Sequence, residues 1–221
     1  LGDCKEILIT LCPEYYGLMS WKFIKRRGFY ISVVQIHKKD KYLQPGYLTE
    51  INVCATLAKM LNPKIKVIGV EPVEAASMSA SLEAGEVVKI DSANTIADGT
   101  AVKTVGKNVF PYVQQYVDQV LLVEDNELIG AFLDMVENHK MVVENSGLLT
   151  VAALKQLDLR GKKVVAILSG GNMDVITMSS VVQQGLIFRD RVITVAVRLP
   201  DKPGTGSLDP VRILHKLWFR P

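Results

Sequence analysis

The chain has 221 residues, 48% of them hydrophobic and 22% charged, with a formal net charge of +3, a balance typical of folded globular proteins with enough apolar side chains for a packed core. Its lysines and arginines are spread along the chain rather than gathered into a tract that would follow a phosphate backbone, so nucleic-acid binding is not expected. No apolar run approaches the roughly 18 residues that span a bilayer, and Asp3 and Glu6 stand where a secretory leader would be basic, so no membrane association and a cytoplasmic location are expected. Cys4, Cys12 and Cys54 are odd in number, lack CxxC spacing and have only three histidines to combine with, so neither a disulfide framework nor a zinc site is indicated.

Residues 1–54 hold five of the seven tyrosines and all three cysteines and read as a segment apart, with no structure assigned. Within it "SWKFIKRRG", Ser20 to Gly28, reads as a solvated basic face. From Ala55 a regular alternation begins. "ATLAKMLNP" has helical spacing and is stopped by Asn62 and Pro63, and "IKVIGV" is a β-branched run suited to a strand buried on both faces. Pro72 suits the first turn of a helix through "EAASMSASLEAG", which Gly85 ends in the left-handed conformation. "VVKI" is a short strand, and "TIADGTAVKTVG" carries no helical stripe and reads as irregular.

"NVFPYVQQYV" reads as a short helix with Asn108 near its cap, followed by the strand "QVLLV". Asp125 is a suitable N-cap for a helix whose Leu128, Ile129, Phe132, Leu133 and Val136 form one apolar face. "MVV" follows as a strand stub, then a turn at "ENSG", a helix "LLTVAALKQL" closed near Gly161, the strand "KKVVAILS" and a helix "DVITMSSVVQQG" ended by Gly185. Strands separated by helices require parallel crossovers, so an α/β doubly wound sheet is expected over residues 55–188. "RVITVAVRLPDKPG" then alternates as a half-exposed strand.

In such a sheet ligands sit beyond the carboxyl ends of the strands, where helix N-termini also point free N–H groups. "SGGN" occupies that place: Ser169 offers a hydroxyl, Gly170 and Gly171 let a ligand approach the backbone, and Asn172 can cap the next helix or brace the loop. The same turn is also a common way merely to change direction. Glu144 in "ENSG" would project near the same edge, although a lone carboxylate there is more often a cap or a solvated charge. The GxGxxG and Walker A patterns are absent, so topology alone supports a generic nucleotide-binding domain.

"NPKIKVIGVEP", "TIADGTAVK", "VVENSG" and "GKKVVAILSGGNMD", in this order, resemble the second half of the catalytic domain of threonine dehydratases, the pyridoxal-phosphate enzymes of the tryptophan synthase β type. The resemblance covers about residues 55–204, and "LIFRDRVITVAVRLPDKPG" resembles the lead into an ACT-type regulatory region, here residues 189–221. It implies pyridoxal 5'-phosphate as cofactor, an amino-acid substrate, and β-elimination from threonine or serine giving 2-oxobutanoate or pyruvate with ammonia. It further implies that Ser169 meets the pyridine nitrogen, that Gly170, Gly171 and Asn172 shape that wall, and that Glu144 and Gly106 lie beside the ring. A neutral hydroxyl leaves the ring nitrogen unprotonated, which moderates the electron sink and suits β-elimination.

Three departures accompany the resemblance. "YLTEINVC" stands where the family has a glycine-rich phosphate loop. Only Lys22, in "SWKFIKRRG", imitates the cofactor-bearing lysine, and 49 positions between it and Glu71 are too few for the small domain that normally intervenes, so the catalytic residue is unassigned. Relatives that bind a divalent cation use a Glu and an Asp six residues on; here Glu71 is followed by Ser77, and no metal is expected. The chain is therefore expected to need a further part for the whole reaction. The alternative is an inactive relative that binds cofactor or amino acid weakly, or a partner subunit. Apolar surface that a small domain would cover is expected to drive assembly into a homo-oligomer.

Overall fold

The computed structural model describes residues 50–171 and 173–193, together with the backbone of residues 6–10, 18–26 and 29–37. Its strands are β1 (Glu6–Thr10), β2 (Leu18–Arg26), β3 (Phe29–His37), β4 (Lys66–Pro72), β5 (Gln119–Val123) and β6 (Val164–Ser169). Its helices are α1 (Glu50–Leu61), α2 (Ser77–Ala84), α3 (Phe110–Tyr116), α4 (Asp125–Asp134), α5 (Asn145–Ala153) and α6 (Val175–Phe188). The strands form one sheet in the order β2-β3-β6-β1-β4-β5, parallel except for the antiparallel pair β2 and β3. The sheet thus draws strands from both sides of residue 54, and β1 lies at its centre between β4 and β6.

Period-two alternation along fully buried strands directs side chains to two separate cores. On one face Val67, Val165 and Ile167 pack with α1, α3 and Met78 of α2. On the other, Ile68, Val70, Val164 and Leu168 pack with α4, α5 and Val181 of α6. Helices on both faces make the doubly wound α/β architecture. The helix after β6 leaves on one face and those after β4 on the other, so the carboxyl ends of β6, β1 and β4 border the crevice where such sheets bind ligands.

Several local expectations are revised by tertiary contacts. The first helix starts at Glu50, before Ala55. Pro72 ends β4 and precedes a single 3-10 turn at Val73–Ala75, while Gly85 closes α2 at φ 75° as expected. "VVKI" makes only one bridge, Lys89 to Thr104, because the Val88 N–H is taken by the Ser81 hydroxyl at 3.2 Å. "MVV" forms no strand: the Met141 N–H closes the π-helical turn Met135–His139 by bonding the Met135 carbonyl, and Val143 is buried in the second core.

The cap of α4 is Glu124, in a reciprocal capping box with Glu127, rather than Asp125, whose carboxylate is bound elsewhere. "ENSG" is the entry and first turn of α5 rather than a separate turn. Residues 191–193 are not in a strand, and the remainder of the alternating run from 194, with the ACT-like region, lies outside the described residues.

Gly185 does not end α6, which continues to Phe188. A Cβ at this position would lie 2.6 Å from Leu133 Cδ1 and 2.8 Å from Leu133 Cγ, so the missing side chain is what lets α6 approach α4. Gly185→Ala is therefore expected to destabilise by about 1–3 kcal/mol through overpacking. In urea unfolding the double variant with Leu133→Ala should lose less than the sum of the two single losses, because the added methyl refills the vacated space; strict additivity would contradict the contact.

Candidate functional site

All six residues of β6 are buried, and the strand runs into Gly170 at φ 76°. Only glycine enters this left-handed region without strain, so the turn can fold back sharply. The Asp174 carboxylate then caps α6, accepting the Ile176 and Thr177 N–H groups at 2.9 Å each. Asn172 lies outside the described residues, and the capping role expected of it belongs to Asp174. The Thr177 hydroxyl bound to Asp174 holds its carboxyl below the usual carboxylate value. Gly171 is exposed, and nothing lies within 4 Å of the position a Cβ would take.

The start of α5 lies directly on this strand end. Thr150 donates its hydroxyl to the Ile167 carbonyl at 2.8 Å, and a Cβ on Gly147 would collide with the Ser169 carbonyl oxygen. The Glu144 carboxylate sits where a Cβ on Gly170 would be, beside Ser169. Ser169 and Glu144 are each only 7% exposed. The α5 N-terminus favours negative charge at Glu144. The structure therefore brings Ser169, Gly170 and Glu144 together, as their position at one sheet edge implied, but gives Gly170 a different task. Its missing side chain makes room for Glu144, while Gly171 keeps the open side.

A third segment joins this edge. Asp125 accepts the Thr95 hydroxyl at 2.6 Å and the Ile96 N–H at 3.0 Å, and Asn145 donates from Nδ2 to the Ile96 carbonyl at 3.0 Å. Sequence does not single out Thr95, Asp125 and Asn145 as site residues. For Asp125 and Asn145 the only local signal is a polar residue at a helix start, which reads equally well as a cap, and Thr95 lies in an irregular loop with no such signal.

The remaining candidates lie on other segments. Gly106 opens α3, its carbonyl accepting the Val109 and Phe110 N–H groups; the nearest atom to a Cβ there is Val109 Cγ2 at 3.3 Å, with no Ser169 or Glu144 atom within 4 Å. Lys22 lies in β2, paired with Val33, which in turn pairs with Leu168; Ser169 belongs to the adjacent row, with Val34 and Trp21. Glu71, 3% exposed, accepts the Met78 N–H, Ser79 N–H and Ser79 hydroxyl at 2.8, 2.9 and 2.8 Å, so its oxygens hold the start of α2. Burial outweighs these bonds and pushes its carboxyl above the ordinary 4.5. Among the described residues no three His, Cys, Asp or Glu side chains converge on one point.

Chemically, the edge offers a buried neutral hydroxyl, a fixed carboxylate and one open backbone side.

A family model described as "Pyridoxal-phosphate dependent enzyme" matches residues 47–170. The chain is 42% identical over 153 residues to an L-threonine ammonia-lyase of Geobacter sulfurreducens, covering 68% of this chain and 38% of that protein. It is 40% identical over 147 residues to an L-threonine ammonia-lyase of Thermotoga maritima, covering 66% and 37%. The chain thus spans under two fifths of the length of these curated relatives. Among solved structures, the processed form of threonine deaminase isoform 2 from Solanum lycopersicum superposes with a TM-score of 0.62 at 28% identity, covering 83% of this chain and 45% of that one. A serine racemase from Dictyostelium discoideum gives 0.58 at 28% identity, with 79% and 46% covered.

Two measurements follow from the geometry. Because its folded-state value is raised, Glu71 contributes stability that is fully present below about pH 4.5 and is lost as pH rises through that raised value. Glu71→Gln should flatten this part of the stability-versus-pH curve in chemical denaturation, and an unchanged slope would refute the assignment. Gly147→Ala should force α5 away from β6 and destabilise by about 1–3 kcal/mol, measured as a fall in the unfolding midpoint.

Proposed function

The chain belongs to the pyridoxal-phosphate dependent enzyme family, and from that premise we propose that it carries part of the active site of an ammonia-lyase that deaminates threonine, or serine, by β-elimination. The observation that carries this reading is Ser169, buried at the end of β6 and bordered by Gly170, Gly171 and the Glu144 carboxylate. Bound there, pyridoxal phosphate supplies the electron sink that accepts charge from the amino acid's α-carbon. Ser169 would hold the ring nitrogen by a neutral hydrogen bond, leaving it without a full positive charge and so moderating the sink. Gly171 and Asn172 would line the ring's open side, and Gly106 the loop beside it. Glu144, held in place by α5, would keep a carboxylate near the ring edge while its charge drives the phosphate to the opposite end.

On this reading residues 55–188 are the second half of the catalytic domain, residues 189–221 lead into a regulatory region, and the chain acts as a homo-oligomer. The stretch "YLTEINVC" carries no glycine where the family has its phosphate loop, and no step is assigned to a lysine here. The names of the relatives support threonine as substrate over the non-catalytic alternative.

Titration of the purified chain with pyridoxal phosphate, followed by absorbance, tests the reading. Saturable binding is expected, weakened about tenfold by Ser169→Ala, the loss of roughly one hydrogen bond. Binding that is absent, or indifferent to Ser169→Ala, would overturn it. Production of 2-oxobutanoate from threonine is expected when the first half of a threonine ammonia-lyase is supplied in trans. Borohydride reduction of the isolated chain with cofactor should leave Lys22 unlabelled, and label there would assign it the lysine's role.

A further inference from the structure

Ile96 is gripped on both sides of its backbone by side chains from two different helix starts. Its N–H is held by Asp125 at the start of α4, and its carbonyl by Asn145 at the start of α5. Asp125 also holds the Thr95 hydroxyl, which accepts the Ala97 N–H at 3.2 Å, and Ala97 is fully buried in the second core. An irregular loop with no ladder of its own is thereby fixed by side-chain bonds, as buried backbone polar groups require.

Asn145 stands between the two residues that touch the strand end. Glu144, just before it, enters with extended backbone at φ −63° and ψ 154° and lays its carboxylate on Gly170. Gly147, two residues on, packs on the Ser169 carbonyl. Asn145 is 4% exposed, and its Oδ1 has no hydrogen-bond partner among the described residues. A buried acceptor without a partner opposes folding by about as much as one hydrogen bond favours it. The Asn145 side chain therefore adds little net stability, while its geometry fixes which way the α5 N-terminus faces.

We propose that Asn145 is a positioning residue of the cofactor site: by tying the Ile96 carbonyl to the start of α5, it holds Glu144 against Gly170 and so fixes the wall beside Ser169. This rests on the cofactor reading for its functional meaning, but its mechanical part stands on these contacts alone. Asp125 is the second member of the same frame, acting on Ile96 from the opposite side.

The test is amide hydrogen exchange on the cofactor-free chain, with pyridoxal phosphate titration alongside. Asn145→Ala should leave the thermal midpoint nearly unchanged yet speed exchange about tenfold at residues 95–100, 144–147 and 169–171. Asp125→Asn, which loosens Ile96 without touching α5, should speed exchange at 169–171 as well. Asp118→Asn, which weakens the distant tie among Lys59, Val67 and Asp118, should lower the midpoint without this local signature. In the titration Asn145→Ala should bind pyridoxal phosphate about tenfold more weakly.

Faster exchange confined to 95–100, or cofactor affinity equal to that of the parent chain, would overturn the proposal. So would unfolding of Asn145→Ala together with unchanged exchange at 169–171 in Asp125→Asn. If the parent chain binds no pyridoxal phosphate, the proposed function falls, and the exchange data alone decide for or against the frame.

Discussion

The contact between the first turn of α5 and the last residues of β6 is the constraint on which the site depends. Two glycines make it possible from opposite sides: Gly147 brings the helix backbone onto the Ser169 carbonyl, and Gly170 leaves a seat for the Glu144 carboxylate. A side chain at Gly147 would meet the Ser169 backbone and so move the helix or the strand, while at Gly170 it would displace the Glu144 carboxylate and strain a left-handed backbone at φ 76°. With the Thr150 bond to Ile167, these contacts fix the spacing between a neutral hydroxyl and a negative charge.

Polar side chains do, at this edge of the sheet, what ladders do elsewhere. Glu71 closes the start of α2, Asp125 and Asn145 hold the loop at residues 95–97, and Asp174 closes the start of α6. Three of these are carboxylates placed at helix starts, where exposed N–H groups and the helix dipole favour them.

The sheet itself shows a division of labour. Its central positions are taken by β1, β4 and β6, whose apolar residues alternate between two cores where side chains are described. The α4 and α6 helices meet through Gly185, and Arg189 reaches back to the Gly130 carbonyl and to Asp134 at 2.9 and 2.8 Å. The helix that starts at the candidate site is thus anchored at its far end, which makes α6 a rigid strut rather than a loose cover.

Sequence alone determined the elements whose signal is local: the β-branched runs of β4, β5 and β6, the apolar stripe of α4, the left-handed end of α2 and the doubly wound class that follows from their alternation. It also located Ser169, Gly170 and Gly171 at a strand end, because turn chemistry and strand limits are written within a few residues, whereas Glu144, expected after a strand, is the N-cap residue of α5 instead. Tertiary structure decided what no local window holds. It made β1 the centre of the sheet, and it carried α6 through Gly185 because Leu133 fills the space a side chain would need. It also reduced "VVKI" to a bridge by giving its N–H to Ser81, and moved the cap of α4 from Asp125 to Glu124 because Thr95 and Ile96 claimed the aspartate. For these polar groups the physical reason is shared. A backbone N–H or a carboxylate has few bonding positions, and a partner outside its own element occupied them, as Thr95 and Ile96 did for Asp125 and Ile96 again for Asn145.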